Sequence, residues 1–166
     1  MAIDFLMLLR RDHHDLQSGL DELLDPAVTV VEIRQALDGV RLGLTAHAEA
    51  EDIVLCRAIR RCKLSAWVED LIGEARSEHL SQEGALSELV CARLGSATWR
   101  DRALYLRTLV ADHAEWEEVK VLPAIRKADA ELYGQLAGAF ATERLRQLAM
   151  LQPSAPISIP ELARAS

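Results

Sequence analysis

Cysteine is too scarce and too scattered to staple this chain. Cys56, Cys62 and Cys91 are odd in number and none stands in a Cys-x-x-Cys pair, which excludes a disulfide framework and a zinc knuckle. Long apolar runs are missing as well: none approaches the roughly 18 residues that span a bilayer, and Phe5 to Leu9 is too short for the core of a signal peptide. No membrane partner and a cytoplasmic location are therefore expected. Positive charge is in deficit, with 19 Lys and Arg against 26 Asp and Glu and a formal charge of −7, so no nucleic-acid partner is expected. Aromatics reach only 4%, and β-branched residues cluster only at Val28 to Val31. No Asn-Gly or Asp-Gly turn separates alternating runs, so a β fold is excluded. What remains is a chain of 166 residues, 50% hydrophobic and packed with Leu, Ala and Val, long enough for one well-cored helical domain.

Five helical segments follow from caps and apolar periods. Asp4 caps a first helix to about Leu24, with the seam Leu6, Leu9, His13, Leu16, Leu20 and Leu23. Asp25-Pro26 ends it, and Thr29 with Glu32 forms a capping box for a second helix. That helix aligns Ile33, Leu37, Val40, Leu44, His47, Glu51, Val54 and Ala58 on one stripe. Ser65 caps a third, with stripe Val68, Ile72, Ala75, His79, Glu83, Leu86 and Val90; Thr98 with Asp101 opens a fourth, with stripe Ala103, Leu106, Val110, His113, Glu117, Val121 and Ala124. Pro123 is expected to bend the fourth near its end. A fifth helix over about Ala130 to Leu151 is apolar through Leu132, Leu136, Ala139, Phe140, Leu145 and Leu148. Pro153, Pro156 and Pro160 then mark a tail, with room for a last turn from Pro160 to Ala165. The expected fold is all-α: an antiparallel up-down four-helix bundle over residues 1–128, with residues 129–166 as a helix and tail packed on the bundle or on a partner. The chain is expected as a monomer or as a weak homodimer through that last helix.

Three of the four bundle seams are interrupted in the same way, by His and Glu at i and i+4: His47 and Glu51, His79 and Glu83, His113 and Glu117. Such a pair lies on one helix face. With 26 acids in the chain, five histidines would meet about 0.8 acidic partners at +4 by chance; three are found, all on apolar seams. The first helix adds an unpaired imidazole at His13, whereas His14 shares its face with Arg10, Gln17 and Asp21. A buried carboxylate without a partner costs several kcal/mol, and a metal ion satisfies carboxylate and imidazole together. Facing helices about 8 to 10 Å apart let their side chains share one centre. Seven ligands exceed the needs of a single octahedral ion, so two ions are expected, and the mixture of oxygen and imidazole donors suits iron, with manganese as the alternative. Asp52, Glu49, Glu78, Glu115 and Glu118 stand about 100° or more off the seams and are expected on solvated faces; Asp12 and Asp112 are left either behind the ligands or on the surface. Neither Glu-x-x-His at i,i+3 nor His-Glu-x-x-His occurs.

In Asp12-His13, His47-Ala-Glu-Ala-Glu51, Ser77-Glu78-His79 and His113-Ala-Glu-Trp-Glu117-Glu118 leading to Leu122-Pro123, the chain resembles the hemerythrin-like, or HHE cation-binding, family over about residues 8 to 125. The resemblance implies a non-haem di-iron centre bridged by carboxylate and by oxo or hydroxo oxygen, with His13, His47, His79 and His113 as nitrogen ligands and Glu51 and Glu117 as bridges. The oxygen carriers of that family have a second histidine four residues after the third-helix one. Glu83 stands at that place here, which moves the expected site away from reversible oxygen carriage and toward carboxylate-rich di-iron chemistry. The expected small-molecule partners are O2, H2O2 or NO. Peroxide decomposition in the manner of a catalase, or a response to oxygen or redox state, is the first expectation. An iron-dependent binding module or iron reservoir without turnover is the alternative.

Overall fold

The computed structural model describes residues 4–152; the tail prolines and the turn from Pro160 to Ala165 lie outside the described residues. Among these, every element is helical. Helix α1, Phe5–Leu24, starts where the Asp4 carboxylate accepts the Leu6 N–H at 2.9 Å. The capping box of Thr29 and Glu32 opens α2, Val30–Arg61, and Ser65 caps α3, Ala66–Cys91. The fourth, α4, Ala97–Trp116, is capped by Ser96, whose hydroxyl accepts the Trp99 N–H at 3.1 Å. That is two residues before the Thr98 expected from the sequence, because Gly95 at φ +75 turns the chain there and leaves Ser96 in the extended capping conformation.

Pairs that touch across the helices establish the antiparallel order. Gly19 and Gly43 let α1 and α2 approach closely: a methyl added at either would stand 2.9 Å from Val40 Cγ2 or 3.1 Å from Leu16 Cδ2. Arg102 reaches Glu88 across α4 and α3, and Arg107 pairs with Asp21 across α4 and α1. Short connections between the four helices enforce this up-down course. Two apolar clusters result. One gathers Leu16, Leu20, Leu44, Leu86, Leu89, Trp99, Leu106 and Val110; the other gathers Phe5, Leu9, Val54, Ile72, Val121, Ile125 and Phe140. The polar seam residues form a layer between them.

After Trp116 the helix does not stop. A π-helical turn over Glu117–Val121 carries it into α5, Leu122–Ala128, with the Leu122 N–H bonded to the Glu117 carbonyl. Pro123 is the cause: it has no N–H for the Val119 carbonyl, and widening the preceding turn is how the helix accommodates it. The last helix, α6, Ala130–Leu151, has the extent expected and packs lengthwise on α2 of its own chain. Its buried face differs from expectation, being Tyr133, Leu136, Ala137, Phe140, Glu143 and Gln147, while Leu145 and Ala139 are exposed. The Tyr133 hydroxyl accepts the Leu6 N–H at 3.0 Å, and Phe140 packs on Phe5 at 5.8 Å between ring centres. This second neighbour explains why α2 buries the small side chains Ala46 and Ala50 off its bundle seam. No helix of the described residues is long and apolar enough to cross a membrane.

Candidate metal centre

Six of the seven expected ligands meet in the polar layer. His13, His47, Glu51, His79, His113 and Glu117 are each at most 3% exposed. The four imidazoles surround one space, with ring centres 4.9 Å apart for His13 and His47 and 4.5 Å for His79 and His113. Their Nε2 atoms turn inward. His79 Nε2 lies 3.1 Å from His113 Nε2, His13 Nε2 lies 3.2 Å from Glu117 Oε2, and His47 Nε2 lies 3.5 Å from Glu51 Oε2. His14 is exposed, so the first helix presents the histidine expected.

Glu83 does not join them. It is exposed on α3, and Gln82 occupies the seam in its place, 1% exposed. Both i+3 and i+4 continue a helical stripe. Here α3 takes the three-residue step, so its buried line runs Ile72, Ala75, His79, Gln82, Leu86 and Leu89, and the expected Val90 is exposed with Glu83.

Behind the imidazoles the structure corrects a second expectation. Asp52, Glu78 and Glu118 are not on fully solvated faces, and Asp12 is buried. Asp12 of α1 meets His47 Nδ1 of α2 at 3.2 Å; Asp52 of α2 meets His79 Nδ1 of α3 at 2.9 Å. Glu78 of α3 meets His113 Nδ1 of α4 at 2.8 Å, and Glu118, in the π turn, meets His13 Nδ1 at 3.0 Å. Each helix thus hands a carboxylate to the histidine of the next, and the fourth closes the ring on the first. Glu49, Asp112 and Glu115 are exposed and take no part. The sequence signal for these four acids is adjacency: each is the immediate neighbour of a seam ligand, as in Asp12-His13, Glu51-Asp52, Glu78-His79 and Glu117-Glu118. Arg144 of α6 bonds Asp12 from outside, and Arg10 bonds Glu118 at 2.8 Å.

A carboxylate only accepts, so a neutral imidazole facing one carries its proton on Nδ1 and leaves the Nε2 lone pair pointing inward. That is the tautomer a metal requires. Fit to a cation is also visible in what lacks a partner: His13 Nε2, His47 Nε2 and both carboxylate oxygens of Glu51 and of Glu117 have no hydrogen bond. Protein interiors rarely leave such groups unpaired. Their atoms form two overlapping groups, His13, His47, His113 and Glu117, and His47, Glu51, His79 and His113, each set lying within 4.8 Å of one another.

The protonation energies carry the same strain. Burial, together with the charges of His13 and His79, pushes His47 down to about 4 against the pull of Asp12. Burial first, and the facing Glu117 next, raise the Glu51 carboxyl well above the usual carboxylate range. For Glu117 burial is outweighed by contact with His13 and the His113 and His13 charges, so its carboxyl falls below that range. Two carboxylates facing in a dry core do not both ionise unless cations sit between them.

One wall of the layer opens. A cavity of about 440 Å³ between α2 and α3, lined among others by Ala48, Asp52, Ile53, Arg76, Leu80 and Glu83, reaches His79. The other five candidate ligands do not line it.

A family model described as the hemerythrin HHE cation binding domain matches residues 4–138, which includes all four bundle helices, α5 and the first turns of α6. No curated protein and no solved structure matches the chain.

Proposed function

The chain belongs to the hemerythrin HHE cation-binding family, and from that premise we propose that its centre holds two iron ions and decomposes hydrogen peroxide, in the manner of a catalase. The observation that carries this reading is the pair of overlapping donor groups whose inward atoms have no partner within the protein. Imidazole and carboxylate without thiolate suit iron, and manganese next. Bound there, a pair of irons supplies a redox couple and a place for a small oxygen-containing ligand. His13, His47, His79 and His113 would hold the ions through Nε2, with Glu51 and Glu117, on facing helices, supplying the carboxylates. Asp12, Asp52, Glu78 and Glu118 fix the imidazole tautomers and orient the rings. The apolar clusters above and below exclude water. With Glu83 on the surface the count of seven ligands no longer argues for two ions; the two overlapping donor groups do, and six side chains shared between two cations would leave room for a small molecule. The buried stripe of α6 is satisfied within its own chain, which supports a monomer.

Protein expressed with added iron and purified without chelator tests the reading. Two irons per chain and peroxide loss faster than that caused by equal free iron are expected. Less than one iron per chain, or no faster loss, overturns it. A second reading, a metal-dependent binding module without turnover, is favoured by one observation: α6 touches the centre through Phe140, 5.7 Å from the His47 ring, and through Arg144 on Asp12. Hydrogen exchange in α6 that slows on iron loading, in a protein inert to peroxide, would select it.

A further inference from the structure

Among the described residues, Gln82 is the one buried polar side chain of the layer that neither binds a neighbour nor belongs to the donor set. It is 1% exposed, and neither its Nε2 nor its Oε1 has a hydrogen-bond partner. Its surroundings are apolar: one helical turn away from the histidines on the same side lie Leu16, Leu44 and Val110, and Leu86 follows on α3 itself, all buried, with Leu44 and Leu86 also lining the cavity between α2 and α3. A leucine or methionine would fill this position without the desolvation cost of an unpaired amide. Side chains on a helix lean toward its N-terminus, which for Gln82 is toward the His79 layer.

We infer that Gln82 is the hydrogen-bonding group for the small molecule taken up at the centre, on the face opposite Glu51 and Glu117, and that this molecule is hydrogen peroxide rather than dioxygen. The amide offers a donor and an acceptor side by side. Peroxide has O–H groups to donate and oxygens to accept, and so satisfies both halves; dioxygen only accepts and leaves the amide oxygen unpaired. Discrimination by a buried group left unpaired is stronger than discrimination by shape. The inference rests on the di-iron reading above and names the substrate class of that same site. The cavity between α2 and α3, lined by His79 one turn before Gln82 and by Leu86 one turn after it, supplies the approach.

Gln82→Leu tests this in the full chain. The variant keeps two irons, and its metal-free melting temperature is unchanged or higher, since an unpaired amide has been removed. Its KM for peroxide rises about tenfold, the size expected for one hydrogen bond to a polar ligand, with a smaller change in kcat. Azide titrated into the iron-loaded protein, followed by its absorbance change, binds more weakly by a similar factor and reads the amide without turnover. An unchanged KM and azide affinity overturn the inference. Loss of iron also overturns it, by making Gln82 a metal ligand, and a lower metal-free melting temperature overturns it by showing that the amide has a partner within the protein. If wild-type protein takes up two irons and binds azide through Gln82 but ignores peroxide, the proposed activity and the choice of peroxide fail while the amide still contacts the bound ligand.

Discussion

On one side of the four imidazoles lie Glu51 and Glu117 and, beyond them, Phe5, Leu9, Val54, Ile72, Val121 and Phe140; on the other lie Leu16, Leu44, Leu86 and Val110, then Trp99. The first side is covered by α6 and by α5, which continues α4 through the π turn, so the unpaired carboxylates are held under two extra layers of chain. The second is closed by the four bundle helices alone and carries one uncharged polar group, Gln82. Charge that must be neutralised sits where the scaffold is thickest, and the group that can greet an uncharged molecule sits where it is thinnest. On the proposals above, metal retention and ligand choice fall on opposite faces, and they should separate under mutation.

The largest break is Glu117→Ala on the carboxylate side. Iron content should fall from two per chain to one or none, read by elemental analysis, and the rise in melting temperature on iron loading should vanish. Truncating one large side chain on each side sharpens the contrast. Phe140→Ala and Trp99→Ala should each cost about 3–5 kcal/mol of metal-free stability by denaturant melts, but only Phe140→Ala, which removes the ring packed on His47, should also weaken iron in competition with a chelator. Asp12→Asn should lower iron affinity about 10- to 100-fold, because His47 loses the carboxylate that sets its tautomer. Glu83→Ala should leave iron content and spectrum unchanged, as an exposed acid would.

A graded effect is expected with pH. Glu51 is held protonated by burial and by Glu117, and a cation must displace that proton, so iron affinity should rise by up to about tenfold per pH unit below the raised value. In the metal-free protein a carboxyl raised by folding stabilises fully below its unfolded value of 4.5 and loses that contribution as pH rises. The iron-induced gain in melting temperature should therefore grow as pH rises from the unfolded value of 4.5 toward neutrality; a gain that shrinks would contradict the proton assignment.

The caps at Asp4, Thr29 and Ser65, the extent of α6 and the inward placement of six seam side chains were readable from sequence because each depends on a local period or a local hydrogen bond. Glu83 was misplaced because a helix advances about 100° per residue, so i+3 and i+4 flank the same line and only neighbouring helices decide between them. The carboxylate ring stayed hidden for a related reason. Asp52, Glu78 and Glu118 are off the seam of their own helix and on target only for the histidine of the next. The buried face of α6 depended likewise on which side of α2 had small residues to spare, and Glu143 is buried there because Arg57, Arg146 and Gln147 surround it.

The ring of acids has a consequence for how the molecule comes together. Every helix is at once giver and receiver, so the four contacts form a closed loop in which each member has two links and none is terminal. A chain lacking any one helix loses two links rather than one, leaving one imidazole without its carboxylate and one carboxylate without its imidazole. Three-quarters of the bundle is thus far less than three-quarters of a binding site, and metal binding becomes a reporter that all four helices have found their places.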